Sequence, residues 1–240
     1  MFENKIYKDE IKVFYDKLLN NEKFSLSRYG DGEWAAILEN PLVCGNNPSK
    51  QIYEWTTTGD NSNYKNARNY LQKAIKYKAD NYYLGICPCY KKMLEYSGQE
   101  KENLTYANIF VNYNYSFFVD NYIELFNNRE VHLVANKESI LYKLPFKVEK
   151  FYPVDYNAWV NNLYLIEEIK NKDYSDKLFL FCAGPLSNIL CYKLWDTNKN
   201  NTYLDIGSVL DPWLQTGNPR GYYLGVESYS KLLCPCPNSN

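Results

Sequence analysis

Asp31 and Glu33, one glycine apart in Ser27-Arg28-Tyr29-Gly30-Asp31-Gly32-Glu33, set two carboxylates on a single glycine-hinged turn. Neighbouring carboxylates repel unless a cation lies between them, and hard divalent cations such as Mg²⁺ or Mn²⁺ prefer oxygen ligands. The pair is therefore a candidate divalent-metal site, with phosphates as the natural further ligands. Gly30 and Gly32 add backbone freedom and remove side chains that would block a ligand. The plainer alternative is an ordinary Asp-Gly turn whose acids only cap a helix. Arg28 bears on this choice. Among 27 lysines and arginines only Arg28, Arg68, Arg129 and Arg220 are arginine. An arginine beside this turn implies a use for its planar fork, either to brace a carboxylate or to grip a phosphate.

Two further glycine turns could share this chemistry. Gly184-Pro185-Leu186-Ser187 follows the apolar run Leu178 to Ala183, and Asp205-Ile206-Gly207-Ser208 follows Thr202-Tyr203-Leu204. Gly184 would let backbone N–H groups at a helix start face a phosphate, with Ser187 as an added donor. Pro185 suits the first position of that helix. Asp205 could hold a ribose hydroxyl or complete a metal shell, or merely cap its own turn. Arg220, in a glycine-rich loop, is a candidate clamp on a diphosphate. Asn112, Asn114 and Tyr115 offer polar and aromatic groups suited to a sugar, although a helix entry explains them equally well.

The elements around these turns alternate. Apolar spacing predicts helices over Ile6 to Leu19, from Trp34, over Tyr64 to Ala79, around Ser116 to Phe126, over Glu138 to Leu144, over Asn157 to Lys172 and from Pro185 through Leu194. Strands are expected at Phe24 to Leu26, Tyr82 to Cys87, Glu130 to Ala135, Val148 to Val154, Leu178 to Ala183 and Thr202 to Gly207. Pro41 to Pro48 reads as a loop. Strands alternating with helices imply an α/β, Rossmann-like, three-layer fold: a mostly parallel central sheet with helices on both faces. In such sheets ligands bind at the carboxyl ends of strands, where all three glycine turns would fall.

At 240 residues, 45% hydrophobic and 23% charged, the chain is expected to form a single domain over residues 1–240, with a polar tail from about 234. A net charge of −1 provides no global field for nucleic acid, so no nucleic-acid partner is expected. No apolar run approaches the roughly 20 residues needed to span a bilayer. With no secretory core after Met1, the expected compartment is the cytoplasm. Seven cysteines then suggest reduced thiols. Cys87-Pro88-Cys89 and Cys234-Pro235-Cys236 could form a four-sulfur zinc site if they met, but a one-residue proline spacer is shorter than the usual zinc spacing. The single histidine, His132, lies in an apolar strand and reads as packing.

Taken in order, Ser27-Arg28-Tyr29-Gly30-Asp31-Gly32-Glu33, Ala183-Gly184-Pro185 and Leu204-Asp205-Ile206-Gly207 resemble the GT-D fold glycosyltransferases, over roughly Phe24 to Asp211. The resemblance implies a metal-dependent enzyme using a nucleotide-sugar donor, expected to be UDP-linked, and a glycan or glycoconjugate acceptor. It implies that Asp31 and Glu33 serve Mn²⁺ or Mg²⁺ and the donor diphosphate. Arg28 would aid them, and Gly30, Gly32, Gly184, Pro185, Ser187, Asn114, Asp205, Ser208 and Arg220 would form the substrate site. Related sequences can carry histidine where this chain has Ser208, leaving Asp205, Asp211 or water as alternatives there. Two other readings are an S-adenosylmethionine-dependent methyltransferase, on the Asp205 to Gly207 strand-loop, and a non-catalytic nucleotide-sugar-binding module. The methyltransferase reading lacks the third close glycine and falls late in the chain.

Overall fold

The computed structural model describes residues 7–44, 55–87 and 90–216. Its strands are β1 (Ser25–Tyr29), β2 (Val43–Cys44), β3 (Trp55–Thr56), β4 (Tyr82–Ile86), β5 (Leu104–Thr105), β6 (Val131–Asn136), β7 (Lys150–Val154), β8 (Leu178–Cys182) and β9 (Thr202–Asp205). Seven of these form one sheet in the order β5-β4-β1-β9-β8-β6-β7, and every neighbouring pair is parallel. β2 and β3 pair separately as an antiparallel hairpin. Parallel neighbours need long crossovers, and here these carry helices: after α1 (Tyr7–Leu19), which precedes β1, come α2 (Asp31–Ile37), α3 (Ser62–Lys76), α4 (Lys91–Ser97), α5 (Tyr115–Phe117), α6 (Ile123–Asn127), α7 (Ala158–Asn161), α8 (Leu165–Lys170) and α9 (Pro185–Thr197), and α10 (Asp211–Leu214) follows β9.

The expected three-layer α/β architecture is met. Strand alternation sends Phe179, Phe181 and Tyr203 into one core, with α2, α3, α4, α7, α8 and α9. Leu178, Leu180 and Leu204 enter the other, with α1, α6 and α10. Burial on both faces accounts for the uninterrupted apolar run of β8. His132 is buried on β6 among Tyr174 and Phe179, a packing residue as expected.

Several boundaries differ from the periodicity reading, each for a local reason. β1 runs on through Tyr29, so Ser27 and Arg28 are strand residues, in register with Leu84 and Gly85 of β4. The helix expected over 157–172 is two helices. Asn157 sits in the left-handed region at φ 53°, and the side chain of Asn162 accepts the Asp155 N–H at 3.2 Å. Asparagine side chains that bond nearby backbone compete with the helical ladder in this way. Over 138–144 only a 3₁₀ turn forms, Leu141–Lys143, stopped short of Pro145. A five-residue π-turn, Phe118–Tyr122, joins α5 to α6. The loop expected over 41–48 includes β2, and the two-residue edge strand β5 is too short to announce itself by pattern.

Candidate functional site

β1 lies mid-sheet between β4 and β9. From β1 the chain builds outward through β4 to β5, whereas β9 is the last strand among the described residues, so the succession of strands reverses at the β1/β9 boundary. Open α/β sheets form a ligand crevice at such a boundary, beyond the strand carboxyl ends. Asp31 and Glu33 open α2 at that position.

The two acids differ in setting. Asp31 is exposed, and its Oδ1 accepts the Gly32 N–H at 2.9 Å. Glu33 is half-buried and folds back, so that Oε2 accepts the Gly30 N–H at 2.9 Å. Gly30 is extended here, at φ −100° and ψ −162°. Its use is space, since a Cβ would stand 3.2 Å from Glu33 Oε2. Burial raises the Glu33 carboxyl to about 7; the Gly30 hydrogen bond opposes this, and the Asp205 and Asp31 charges add to it. Gly32 is buried within the first turn of α2.

Asp205, at the end of β9, is buried and already bonded. Its Oδ2 accepts the Arg28 backbone N–H at 2.9 Å, and Oδ1 accepts the Gly207 N–H at 3.1 Å and Arg28 Nη2 at 3.4 Å. Burial raises its pKa, while the Arg28 charge and these hydrogen bonds pull it down. Arg28 also donates from Nε to the Asp205 carbonyl at 2.6 Å and from Nη1 to the Ala107 carbonyl at 2.8 Å. Its guanidinium carbon lies 5.4 Å from the centre of the Phe110 ring. Of the two uses open to Arg28 from sequence, this geometry is the brace: it ties β1 to the loops after β5 and β9. Gly207 makes room for it. At φ 55°, a Cβ on Gly207 would lie 2.1 Å from Arg28 Nη2, so any side chain there would be strained and would have to displace the guanidinium.

The Gly184 turn is also specific to glycine, with φ 55° and ψ −140°. Trp55 of the β2–β3 hairpin packs over it, 2.9 Å from where a Cβ would be. Asn157 holds that hairpin down by accepting the Thr56 N–H at 2.6 Å, and Trp159 donates to the Thr56 carbonyl at 3.0 Å. Pro185 is the first residue of α9 and is buried.

Two expected substrate donors are buried and bonded to backbone. Ser187 is fully buried beneath its turn, where Oγ accepts the Ala183 N–H at 3.1 Å. Asn114 is buried too, and its Nδ2 donates to the Ile109 carbonyl at 2.8 Å. Ser208 is half-exposed after β9, its carbonyl accepting the Asp211 N–H at 3.1 Å. Arg220 lies outside the described residues, as do Cys89, Cys234 and Cys236. Cys87 is disulfide-bonded, a departure from the reduced thiols expected, whereas Cys182 and Cys191 are free.

Three contributors escaped the sequence reading. Asn188 of α9 donates from Nδ2 to Ser27 Oγ at 3.0 Å and to the Arg28 carbonyl at 2.7 Å, pinning the helix to β1. Trp55 roofs the Gly184 turn. Tyr90 stands before α4, close enough that the Asp31 and Glu33 charges add to burial in raising its phenol. An aromatic just past the end of a strand was its one signal, lost among 25 tyrosines. A separate groove of about 280 Å³ borders Tyr70, Tyr164 and Lys193 and includes none of these crevice residues.

The donor set fits a hard divalent cation in one respect. Two carboxylates at one turn, one of them raised chiefly by burial and further by the Asp205 and Asp31 charges, would supply the one or two protein oxygens that Mg²⁺-like ions take when phosphates and water complete the shell. Among the described residues no group of three or more His, Cys, Asp or Glu could enclose a metal by itself.

No known family profile and no curated protein matches this chain in sequence. Solved structures do match in fold. A glycosyltransferase (DUF1792) from Streptococcus sanguinis is 13% identical with a TM-score of 0.54, covering 83% of this chain and 80% of its own. A second structure, of the domain of unknown function 1792 described as having a distinct glycosyltransferase fold, is 16% identical with the same TM-score, covering 83% and 77%. At these identities the likeness is one of architecture, and the chain carries the glycosyltransferase fold that its ordered motifs resemble.

Proposed function

We propose that this protein is a metal-dependent glycosyltransferase that moves a sugar from a nucleotide-sugar donor, UDP-linked by expectation, to a glycan or glycoconjugate acceptor. The observation that carries the reading is the Asp31–Glu33 pair at the reversal point of a sheet whose fold is shared with glycosyltransferase structures. Asp31 and Glu33 are the residues that would hold Mn²⁺ or Mg²⁺. When bound, such an ion neutralises charge on a departing diphosphate.

The chain's own residues prepare that site. The Gly30 N–H fixes Glu33, and Arg28 holds Asp205 and the Gly207 turn so that β1 and β9 end in a rigid edge. A preorganised edge spends no reorganisation energy as charge develops. Arg28 acts in this scheme as a positioning residue, because its hydrogen bonds go to protein. Asp205 is likewise committed to Arg28 and Gly207, so the ribose contact that a methyltransferase would ask of it gains no support here.

The test is sugar transfer from UDP- and GDP-sugars across an acceptor panel, with Mn²⁺ or chelator, for wild type, Asp31→Asn and Glu33→Gln. Chelator should abolish transfer, and each variant should lose at least about 100-fold in kcat/KM, the scale of an electrostatic stabiliser. Undiminished transfer by the variants would overturn the assignment. Donor binding without transfer or hydrolysis would favour a binding module instead.

A further inference from the structure

The groove of about 280 Å³ lies where α3, α8 and α9 meet and takes no part in the site described above. Tyrosines from two elements line it: Tyr70 on α3, and Tyr164, which directly precedes α8. Tyr164 is 57% exposed, so most of its surface is left to solvent. Leu163 adds apolar surface, and Asn66, Glu167 and Lys193 add polar groups. The Lys193 ammonium lies 5.2 Å from the centre of the Tyr70 ring and 4.9 Å from that of Tyr192, and no carboxylate among the described residues pairs with it. The groove and the crevice share one helix. Asn188, in the first turns of α9, is bonded to the Arg28 carbonyl beside the Gly30 turn, whereas Lys193 lies near the other end of α9, and Pro185 to Lys193 spans about 12 Å at roughly 1.5 Å per residue.

We propose that this groove is a second carbohydrate site, holding one sugar ring of the glycan acceptor away from its reacting end. That the glycan is the acceptor rests on the glycosyltransferase reading above. A pyranose has C–H faces that suit the electron-rich face of an aromatic ring, and a rim of hydroxyls that need donors and acceptors together. Tyr70 and Tyr164 offer the rings, Lys193 and Asn66 the donors, and Glu167 the acceptor. Small-ligand sites are concavities of this mixed kind, with aromatic walls and a few polar groups. A protein partner would cover about 800 Å² of each surface, far more than this hollow offers. An acceptor of several sugar rings is long enough to reach from the groove along α9 to the crevice. The competing explanation is a gap left where three helices diverge, and truncating an exposed ring separates the two.

The experiment is an array of neutral and acidic oligosaccharides probed with the wild-type protein, followed by calorimetric titration of the best-bound oligosaccharide into wild type, Tyr164→Ala and Tyr70→Ala. UDP and GDP, each with saturating Mn²⁺, are titrated into the same proteins, and thermal midpoints are recorded without ligand. Tyr164→Ala should keep the wild-type midpoint and diphosphate affinity and bind the oligosaccharide at least about tenfold more weakly, the scale of one lost aromatic contact. If Tyr70→Ala unfolds, Tyr164→Ala alone decides. Wild type that binds no oligosaccharide, or a Tyr164→Ala that binds it as wild type does, would overturn the proposal; diphosphate binding in those proteins would leave the glycosyltransferase reading standing. Oligosaccharide binding that depends on Tyr164 in a protein that binds neither diphosphate would overturn the donor reading, and with it the groove's tie to an acceptor, but not the sugar site itself.

Discussion

Glu33 shows how one side chain can be poised for a ligand at a cost to the empty fold. Its carboxyl titrates at about 7 in the folded protein against an ordinary value of 4.5, so between those two the folded state binds the extra proton. Stability contributed by that proton is fully present below 4.5 and is lost as the pH rises through about 7. Glu33→Gln cannot titrate. In chelator-treated protein the thermal midpoint of wild type, measured relative to Glu33→Gln, should therefore fall from pH 4.5 to 7 and level off above. A difference that stays flat across this window would mean that Glu33 is as well solvated folded as unfolded. His132 is a poor source of confusion, since its lowered pKa acts with the opposite sign and is present in both proteins.

At the scale of elements, three strand ends are held together by one arginine. Arg28 leaves β1, crosses the Gly207 turn after β9 and reaches the Ala107 carbonyl beyond β5. Gly207→Ala would press a methyl group into the guanidinium and force alanine to φ 55°. Denaturant unfolding should show a loss of about 1–3 kcal/mol, the usual scale for strain of this kind. An unchanged midpoint would show that the arginine and its turn can part without consequence. This bracing also explains what sequence reading could and could not reach. The strands were legible because runs such as Leu178–Cys182 are apolar on both faces, and the acid pair because Asp31 and Glu33 flank a glycine. Arg28 stands out in sequence as one of four arginines, beside a glycine turn, but nothing local says that Asp205, 177 residues away, completes its surroundings. Asn162 dividing α7 from α8, and Ser187 and Asn114 turned to backbone, are likewise decided by partners that periodicity does not encode.

For the whole molecule, the parallel sheet converts sequence distance into proximity: β1 and β9 sit together although one begins the sheet and the other ends it. Asp31 and Glu33 after β1, Tyr90 after β4, and Asp205 with Gly207 after β9 thus lie toward one edge of the sheet, while the groove near Tyr70 and Tyr164 includes none of them. The likeness to glycosyltransferase structures extends over 83% of the chain and so concerns this arrangement as a whole, at 13–16% identity that leaves the site to be tested by its own chemistry. In the proposed function the acid pair holds a divalent cation beside a nucleoside diphosphate. Anomalous scattering from crystals soaked in Mn²⁺ and UDP tests that most directly. One manganese peak is expected in contact with the carboxylates of both Asp31 and Glu33 and with the diphosphate; a manganese–diphosphate complex bound elsewhere, with those two carboxylates uninvolved, would overturn the assignment.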